Sequence, residues 1–180
     1  MNIKNKKILY ITQAGIIAAI YVALTFALKP ISFGEIQLRV AEMLVILPVF
    51  TPAAIPGLFI GCLLGNLLGG AMIPDVIFGS LATLAGAALT YTLRDKKLFV
   101  ATIPPIVLNA LIVPFILKYA YSVPLPIYVM MLTVGAGEII SAGVLGTAFG
   151  KVLKRNEKAI FGTGSEKKKV EKSETATEEQ

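Results

Sequence analysis

Long apolar runs with almost no charge dominate the first 155 residues of the chain. Five such runs follow one another, at residues 8–28, 43–74, 76–93, 98–117 and 119–150. The last of them contains a single charged side chain, Glu138. A helix that crosses a bilayer needs about 20 predominantly apolar residues. The pattern therefore predicts an all-α integral membrane protein.

Proline divides the second run into two shorter helices. Pro48, Pro52 and Pro56 fall close together, and proline breaks a helix because it lacks an N–H and clashes with the preceding turn. We expect a turn near VFTPAAIP and another at SVPLP, before the last helix. The result is a six-transmembrane-helix bundle with helices at about residues 8–28, 38–50, 56–72, 75–94, 98–118 and 126–153.

Positive charge sets the predicted orientation. With both termini in the cytoplasm, nine Lys and Arg residues of the helical part lie on the inner side and three on the outer side, as the positive-inside rule requires. The first run is expected to be a retained helix, since no cleavage site followed by a soluble domain is seen. Residues 1–155 form the predicted membrane domain. Residues 156–180, with five Lys and six Glu, are expected to be a charged, disordered cytoplasmic tail.

Composition excludes several classes of function. The 180 residues are 56% apolar and 16% charged, with no histidine and one cysteine, Cys62; soluble domains carry about 25% charge. Histidine-dependent hydrolysis, an intrachain disulfide and a cysteine metal cluster are therefore not expected. No Walker A motif is present, so the chain has no nucleotide site of its own to power transport. We predict a protein that is not an enzyme, without a metal or cofactor, and without a nucleic-acid partner.

Glu138 is the clearest candidate for a binding site. It lies about twelve residues into the last helix, roughly 18 Å along its axis at the α-helical rise, and Gly135 and Gly137 beside it leave room for a ligand. An ionisable group inside a membrane costs several kcal/mol unless it is paired or faces water. The alternative is a hydrogen-bonded or protonated glutamate that only packs between helices.

Other polar residues near the outer ends of helices join it as substrate-binding candidates. Arg39 and Glu42 are spaced for a local ion pair, and Asp75 has the type and place of a helix N-cap. Asn66 and Asn109 could read a ligand or bond a neighbouring helix. Together they predict an outward-open apolar cavity with a few converging polar groups. Because carboxylates dominate, its ligand should offer hydrogen-bond donors or a positive charge.

Small residues recur at four-residue spacing on three predicted helices. They are Gly15, Ala19, Ala23 and Ala27, with Ala14 and Ala18 alongside; Gly57, Gly61, Gly65 and Gly69; and Gly146 with Gly150. Such stripes let helix backbones approach closely in lipid. They serve either packing inside the bundle or, for the first helix, docking of another membrane protein.

These features resemble the QueT family, the substrate-binding subunits (S components) of energy-coupling factor (ECF) transporters. The resemblance covers about residues 5–155. The segments that carry it, in order, are QAGIIAAIYVALT, QLRVAEMLVILPVF, GCLLGNLLGG, PDVIFGSLATLAGA and GAGEIISAGVLG.

The resemblance implies a multi-pass protein of a prokaryotic plasma membrane that binds a vitamin-like solute from outside. It implies partners as well: a membrane coupling subunit and two cytoplasmic ATPases, which use the ATP. The family's AxxxA docking motif matches Ala14 and Ala18, with Ala19 and Ala23 as a second register.

The resemblance also implies a queuosine precursor as substrate, chiefly 7-aminomethyl-7-deazaguanine. A guanine-like edge presents adjacent N–H donors that one carboxylate can accept, and charge-assisted bonds of this kind are strong. Our hypothesis is that Glu138 accepts this edge and that Glu42 or Asp75 faces the ammonium group.

In the same hypothesis Asn66 and Asn109 read the ring carbonyl or the remaining donors, and Arg39 orients Glu42. Three alternatives stay open: an S component for another vitamin or nucleobase, an autonomous proton-coupled carrier using Glu138, and a membrane scaffold protein that binds no small ligand.

Overall fold

The computed structural model describes residues 3–28, 39–156 and 160, and these residues form helices without any strand. Helices 1 to 6, in chain order, span Ile3–Ala27, Val40–Val49, Ala54–Gly69, Asp75–Thr92, Leu98–Tyr119 and Ile127–Arg155. Most of the predicted tail lies outside the described residues, so its disorder stays a prediction.

Four of the helices are long and apolar enough to cross a membrane. They are helix 1, over Lys7–Ala27, and helices 4, 5 and 6. Helix 2 has 10 residues and helix 3 has 16, lengths of roughly 20 Å and 24 Å at the rises of a 3-10 and an α-helix. The all-α membrane architecture is confirmed. The count of six spans and the cytoplasmic position of both termini stay predictions.

The glycine stripe of helix 3 packs directly against helix 1. A Cβ atom on Gly57 would lie 2.8 Å from the carbonyl oxygen of Ala14, and one on Gly61 would lie 2.8 Å from Cβ of Tyr21. At Gly65 the nearest atom would be Oγ1 of Thr25, at 3.3 Å. The two backbones are closer than any larger residue allows, so this stripe serves packing within the bundle.

Glycines of helix 6 bring it against helix 2 in the same way. A Cβ atom on Gly146 would lie 3.2 Å from the carbonyl oxygen of Met43, and one on Gly150 would lie 3.0 Å from Cγ1 of Ile46. Helix 2 is thus held between helix 6 and the pair formed by helices 1 and 3, and it contributes Leu44 to the buried core.

Three helical segments depart from regular α-helical geometry. Helix 2 is a 3-10 helix throughout, helix 4 opens with a π-helical segment over Asp75–Gly79, and helix 6 contains another over Ile139–Leu145. Long 3-10 and π segments are uncommon and often mark functional regions. Each of the three contains or directly follows a buried acid: Glu42, Asp75 or Glu138.

Candidate functional site

Four charged side chains are buried in the part of the chain that the structure describes. Glu42, Asp75 and Glu138 are 0%, 1% and 3% exposed, and Arg39 is 7% exposed. An isolated buried charge is strongly unfavourable, so such groups are kept only with partners or for function. All four were predicted as site residues. The structure places Arg39 and Glu42 at the start of helix 2, Asp75 at the start of helix 4 and Glu138 within helix 6.

Arg39 and Asp75 form an ion pair. The guanidinium Nη2 donates to Oδ1 of Asp75 at 3.3 Å and to Oδ2 at 3.2 Å. The hydroxyl of Tyr121 donates to Oδ2 of the same carboxylate at 3.1 Å and accepts the backbone N–H of Met72 at 3.0 Å. The N-cap interpretation of Asp75 is therefore wrong, because its carboxylate bonds side chains from distant parts of the chain instead of the first backbone N–H groups of its own helix.

Space and a neighbouring amide fix the position of Asp75. A Cβ atom on Gly79 would lie 2.8 Å from Oδ1 of Asp75, so only glycine leaves room for the carboxylate there. Asn66 Nδ2 donates to the backbone oxygen of Asp75 at 3.4 Å and to Sγ of Cys62 at 3.6 Å. The amide nitrogen of Asn66 is thus engaged in joining helices 3 and 4, as the packing alternative expected.

Glu42 is held by helix 1. The hydroxyl of Tyr21 donates to Oε1 of Glu42 at 2.5 Å, whereas Oε2 is buried and has no hydrogen-bond partner among the described residues. Tyr21 is itself 2% exposed, so its ring has little freedom to move away. One carboxylate oxygen is fixed, and the other keeps its capacity to accept a hydrogen bond.

Glu138, like Glu42, has one carboxylate oxygen bonded by a neutral side chain from another helix. Nδ2 of Asn109, on helix 5, donates to Oε1 of Glu138 at 2.9 Å, and Oε2 is buried without a partner among the described residues. Glu138 lies within electrostatic range of both Glu42 and Arg39. Glu42 and Glu138 are thus each bonded by one neutral donor, each keep one oxygen without a partner among the described residues, and interact electrostatically with one another.

A groove on the outside of the bundle is distinct from these acids. It has a volume of about 510 Å³ and is lined by apolar side chains from helices 4 and 5, among them Pro74, Phe78 and Phe115. No charged residue contributes to its lining. The described residues that line this groove carry no charge to pair with a cationic ligand, so we place the candidate site at the buried acids.

A family model with the description "QueT transporter" matches residues 11–155. The chain belongs to the QueT transporter family. With several helices apolar enough to span a bilayer, it is a multi-pass cell-membrane protein of a transporter family and not of an enzyme family. The resemblance inferred from the sequence segments is thereby confirmed.

A curated relative of this QueT chain is the "Queuosine precursor transporter QueT" of Lactococcus lactis subsp. cremoris (strain MG1363). It is 40% identical over 95 residues, which cover 52% of this chain and 56% of the relative. The aligned part is thus little more than half of either protein. No solved structure matches the chain.

Two residues of this QueT site escaped the sequence reasoning. Neither Tyr121 nor Tyr21 was among the substrate-binding candidates predicted from the sequence. A signal for Tyr21 was present, because Ala14, Ala18, Tyr21 and Thr25 follow one another at spacings of four, three and four residues, the period of a packed helix face. A hydroxyl-bearing ring on that face has to meet a polar partner inside the bundle.

Tyr121 lies in the turn between helices 5 and 6, where its surroundings raise the pKa of its hydroxyl. Partial burial raises the pKa of its hydroxyl above the ordinary value, and the nearby Asp75 carboxylate raises this pKa further. The Tyr121 hydroxyl therefore stays protonated, and able to donate to Asp75, at a higher pH than an exposed tyrosine.

The two predicted docking registers of helix 1 lie on different faces. Ala14 and Ala18 face helix 3, and Ala18 is 8% exposed. Ala19 and Ala23 are exposed. Docking of a partner by either register stays a prediction, but only the second register presents its side chains at the surface of the isolated chain.

Proposed function

We propose that the chain is the S component of an ECF-type importer and captures 7-aminomethyl-7-deazaguanine, or a related 7-deazaguanine, from outside the cell. The observation that carries this proposal is the pair of buried carboxylates, Glu42 and Glu138, each with one unpartnered oxygen. Membership of the QueT family and the printed name of the Lactococcus relative support the substrate class.

The chemistry of the ligand suits this pair of acids. The pairing edge of a guanine-like ring offers adjacent N–H donors, which Oε2 of Glu138 can accept while Asn109 holds Oε1. The aminomethyl group is cationic at neutral pH and requires a second acid. Charge-assisted hydrogen bonds to both groups would give affinity and orientation together.

Of the two acids considered for the ammonium group, Glu42 is the better candidate. Both oxygens of Asp75 already accept hydrogen bonds from Arg39, and one of them also accepts from Tyr121. The charge of Asp75 is therefore balanced without a ligand, whereas Glu42 is bonded by the neutral hydroxyl of Tyr21. In this assignment Arg39 anchors Asp75, and the positive charge of Arg39 acts electrostatically on Glu42. Asn66 supports Asp75.

The proposed partners are a membrane coupling subunit and two cytoplasmic ATPases, which would use the ATP, so that this chain needs no cofactor. We assign docking to the exposed register of helix 1, Ala19 and Ala23, because Ala14 and Ala18 pack against helix 3. Changing Ala19 and Ala23 to Leu should abolish copurification with the coupling subunit and leave ligand binding intact. Val144→Leu, on an exposed face of helix 6, is the matched control.

Calorimetric titration of the detergent-solubilised full chain tests the substrate. Saturable binding of 7-aminomethyl-7-deazaguanine, with no binding of riboflavin or thiamine, supports the proposal, and absence of binding to any 7-deazaguanine contradicts it. The buried position of Glu138 also fits a second candidate, an autonomous proton-coupled carrier. Uptake into proteoliposomes driven by a proton gradient, with no partner subunit present, would favour that candidate.

A further inference from the structure

The charges around the candidate site do not balance when all the acids are ionised. Among the described residues, the buried charged side chains are Arg39, Glu42, Asp75 and Glu138. The ion pair of Arg39 with Asp75 is neutral as a unit. Ionised Glu42 and Glu138 would then leave two negative charges on side chains that are 0% and 3% exposed, which is strongly unfavourable.

The groups that face the two glutamates from each element are mostly uncharged. Helix 1 presents Tyr21 to Glu42, and helix 5 presents Asn109 to Glu138. Cys62 of helix 3 lies within electrostatic range of Glu42. Among the described residues, the cation in range of both is Arg39, which forms an ion pair with Asp75 of helix 4. Neutral donors can orient a carboxylate but cannot cancel its charge.

Each glutamate also has an oxygen suited to carry a proton. Oε2 of Glu42 and Oε2 of Glu138 are buried and accept no hydrogen bond from the described residues. A proton on that oxygen removes the buried charge and leaves the bond to Oε1 in place. Charge balance therefore favours the protonated, neutral form of Glu42 and Glu138 when no ligand is bound.

We propose that Glu42 carries a proton in the empty site and exchanges it for the cationic group of the ligand. The O–H bond of Glu42 breaks, its proton passes to the external solution, and the carboxylate that remains pairs with the incoming ammonium. The charge of the site is then the same before and after binding. This inference rests on the proposed function, since it takes the aminomethyl group to be the part of the ligand that meets Glu42.

The exchange makes affinity depend on pH in a ligand-specific way. A cationic 7-deazaguanine should release one proton more than a neutral one, because only the cation ionises Glu42. Any proton that Glu138 releases on meeting the guanine edge is common to both ligands and cancels in the comparison. Release of one additional proton makes the affinity ratio of the two ligands change tenfold per pH unit, in favour of the cation as pH rises.

The test compares 7-aminomethyl-7-deazaguanine with the neutral 7-cyano-7-deazaguanine. Calorimetry on the full chain at pH 7, in phosphate and in Tris, gives the number of protons released by each ligand, since the two buffers differ in ionisation enthalpy. We expect one more proton for the aminomethyl compound, and no difference in the Glu42→Gln variant. Asp95→Asn, at an exposed turn, is the matched control and should keep the difference.

The outcomes separate this inference from the proposed function. Binding of both compounds with equal proton release by the wild-type chain overturns the proton exchange and leaves the substrate assignment standing. Failure of both compounds to bind overturns the proposed function and the exchange together. The wild-type comparison decides without any variant, so a Glu42→Gln chain that fails to fold does not affect the test.

Discussion

Arg39 bonds Asp75, a residue 36 positions further along the chain, at 3.2 Å. The pair ties the start of helix 2 to the start of helix 4, and the Tyr121 hydroxyl adds the turn before helix 6. Three chain segments therefore meet at one carboxylate. The charge of this carboxylate is neutralised within the protein. Glu42 and Glu138 are therefore the acids nearby that can bind a ligand.

Removing only the cation of this ion pair should destabilise the protein more than removing both charges. Arg39→Met leaves the Asp75 charge buried without its cation, which should lower the free energy of unfolding by about 3–5 kcal/mol. Adding Asp75→Asn to that variant removes the uncompensated charge and should restore much of the loss. Thermal unfolding in detergent measures both. Additive effects of the two substitutions would show that the pair is not coupled as described.

Glu138→Gln should weaken binding of 7-aminomethyl-7-deazaguanine by more than tenfold, about 1.4 kcal/mol or more. A glutamine has one acceptor oxygen, but Asn109 and the ligand both present N–H donors to this side chain. In either orientation of the amide, one donor then faces another donor, which is costly in a buried site.

Isothermal calorimetry on the purified variant checks the effect of Glu138→Gln. Asp95→Asn serves as the control because it makes the same kind of change at an exposed position. Unchanged affinity in the Glu138→Gln variant would remove Glu138 from the site.

Two glycine substitutions on the first and third helices should have opposite effects. A methyl group on Gly61 would meet Tyr21 Cβ at 2.8 Å and Ala18 Cα at 3.1 Å, so Gly61→Ala should destabilise the protein by about 1–3 kcal/mol. Gly15→Ala meets nothing within 4 Å and should leave stability unchanged or raise it by up to about 1 kcal/mol.

The same pair of variants reports on the binding site. Since Tyr21 holds Glu42, Gly61→Ala should also weaken ligand binding, and Gly15→Ala should not. Melting temperatures and calorimetric affinities provide the two measurements. Equal melting temperatures for both variants would contradict the close contact of helices 1 and 3.

The raised pKa of Tyr121 predicts a loss of stability at alkaline pH. The folded protein holds the hydroxyl proton more tightly than the unfolded chain, so this contribution is complete below the ordinary tyrosine value of about 10. It is lost as pH rises through the higher pKa of the folded state. Melting temperatures measured from pH 9 to pH 11 should fall less steeply for Tyr121→Phe than for the wild type. Parallel curves would show that Tyr121 contributes nothing to this dependence.

Much of the helical architecture could be predicted from the sequence. Uninterrupted apolar runs fix the approximate positions of membrane helices because lipid demands internal backbone hydrogen bonding. The proline cluster at Pro48, Pro52 and Pro56 correctly located the turn between helices 2 and 3. The 3-10 geometry of helix 2 and the π segments could not be predicted in this way. They depend on the packing of neighbouring helices, which apolar periodicity does not reveal.

The buried acids of the candidate site could be named from the sequence, but their hydrogen-bond partners could not. Burial of a charge in an apolar run is visible in the sequence, and so Glu138, Glu42 and Asp75 could be singled out. The partner of each acid comes from a different helix, and residue spacing along one helix carries no information about it. That is why Asp75 was taken for an N-cap, and why Tyr21 was not considered.

The π segment after Glu138 has a consequence for the evolution of the chain. A π-bulge fits one residue more into a turn than an α-helix does. Deletion of one residue within Ile139–Leu145 would therefore restore regular α-helical turns and leave Glu138 at nearly the same angle to Gly146 and Gly150. Since those glycines fix the contact with helix 2, a single-codon loss in this segment would change the backbone beside Glu138 and still leave the packing of helices 2 and 6 in place.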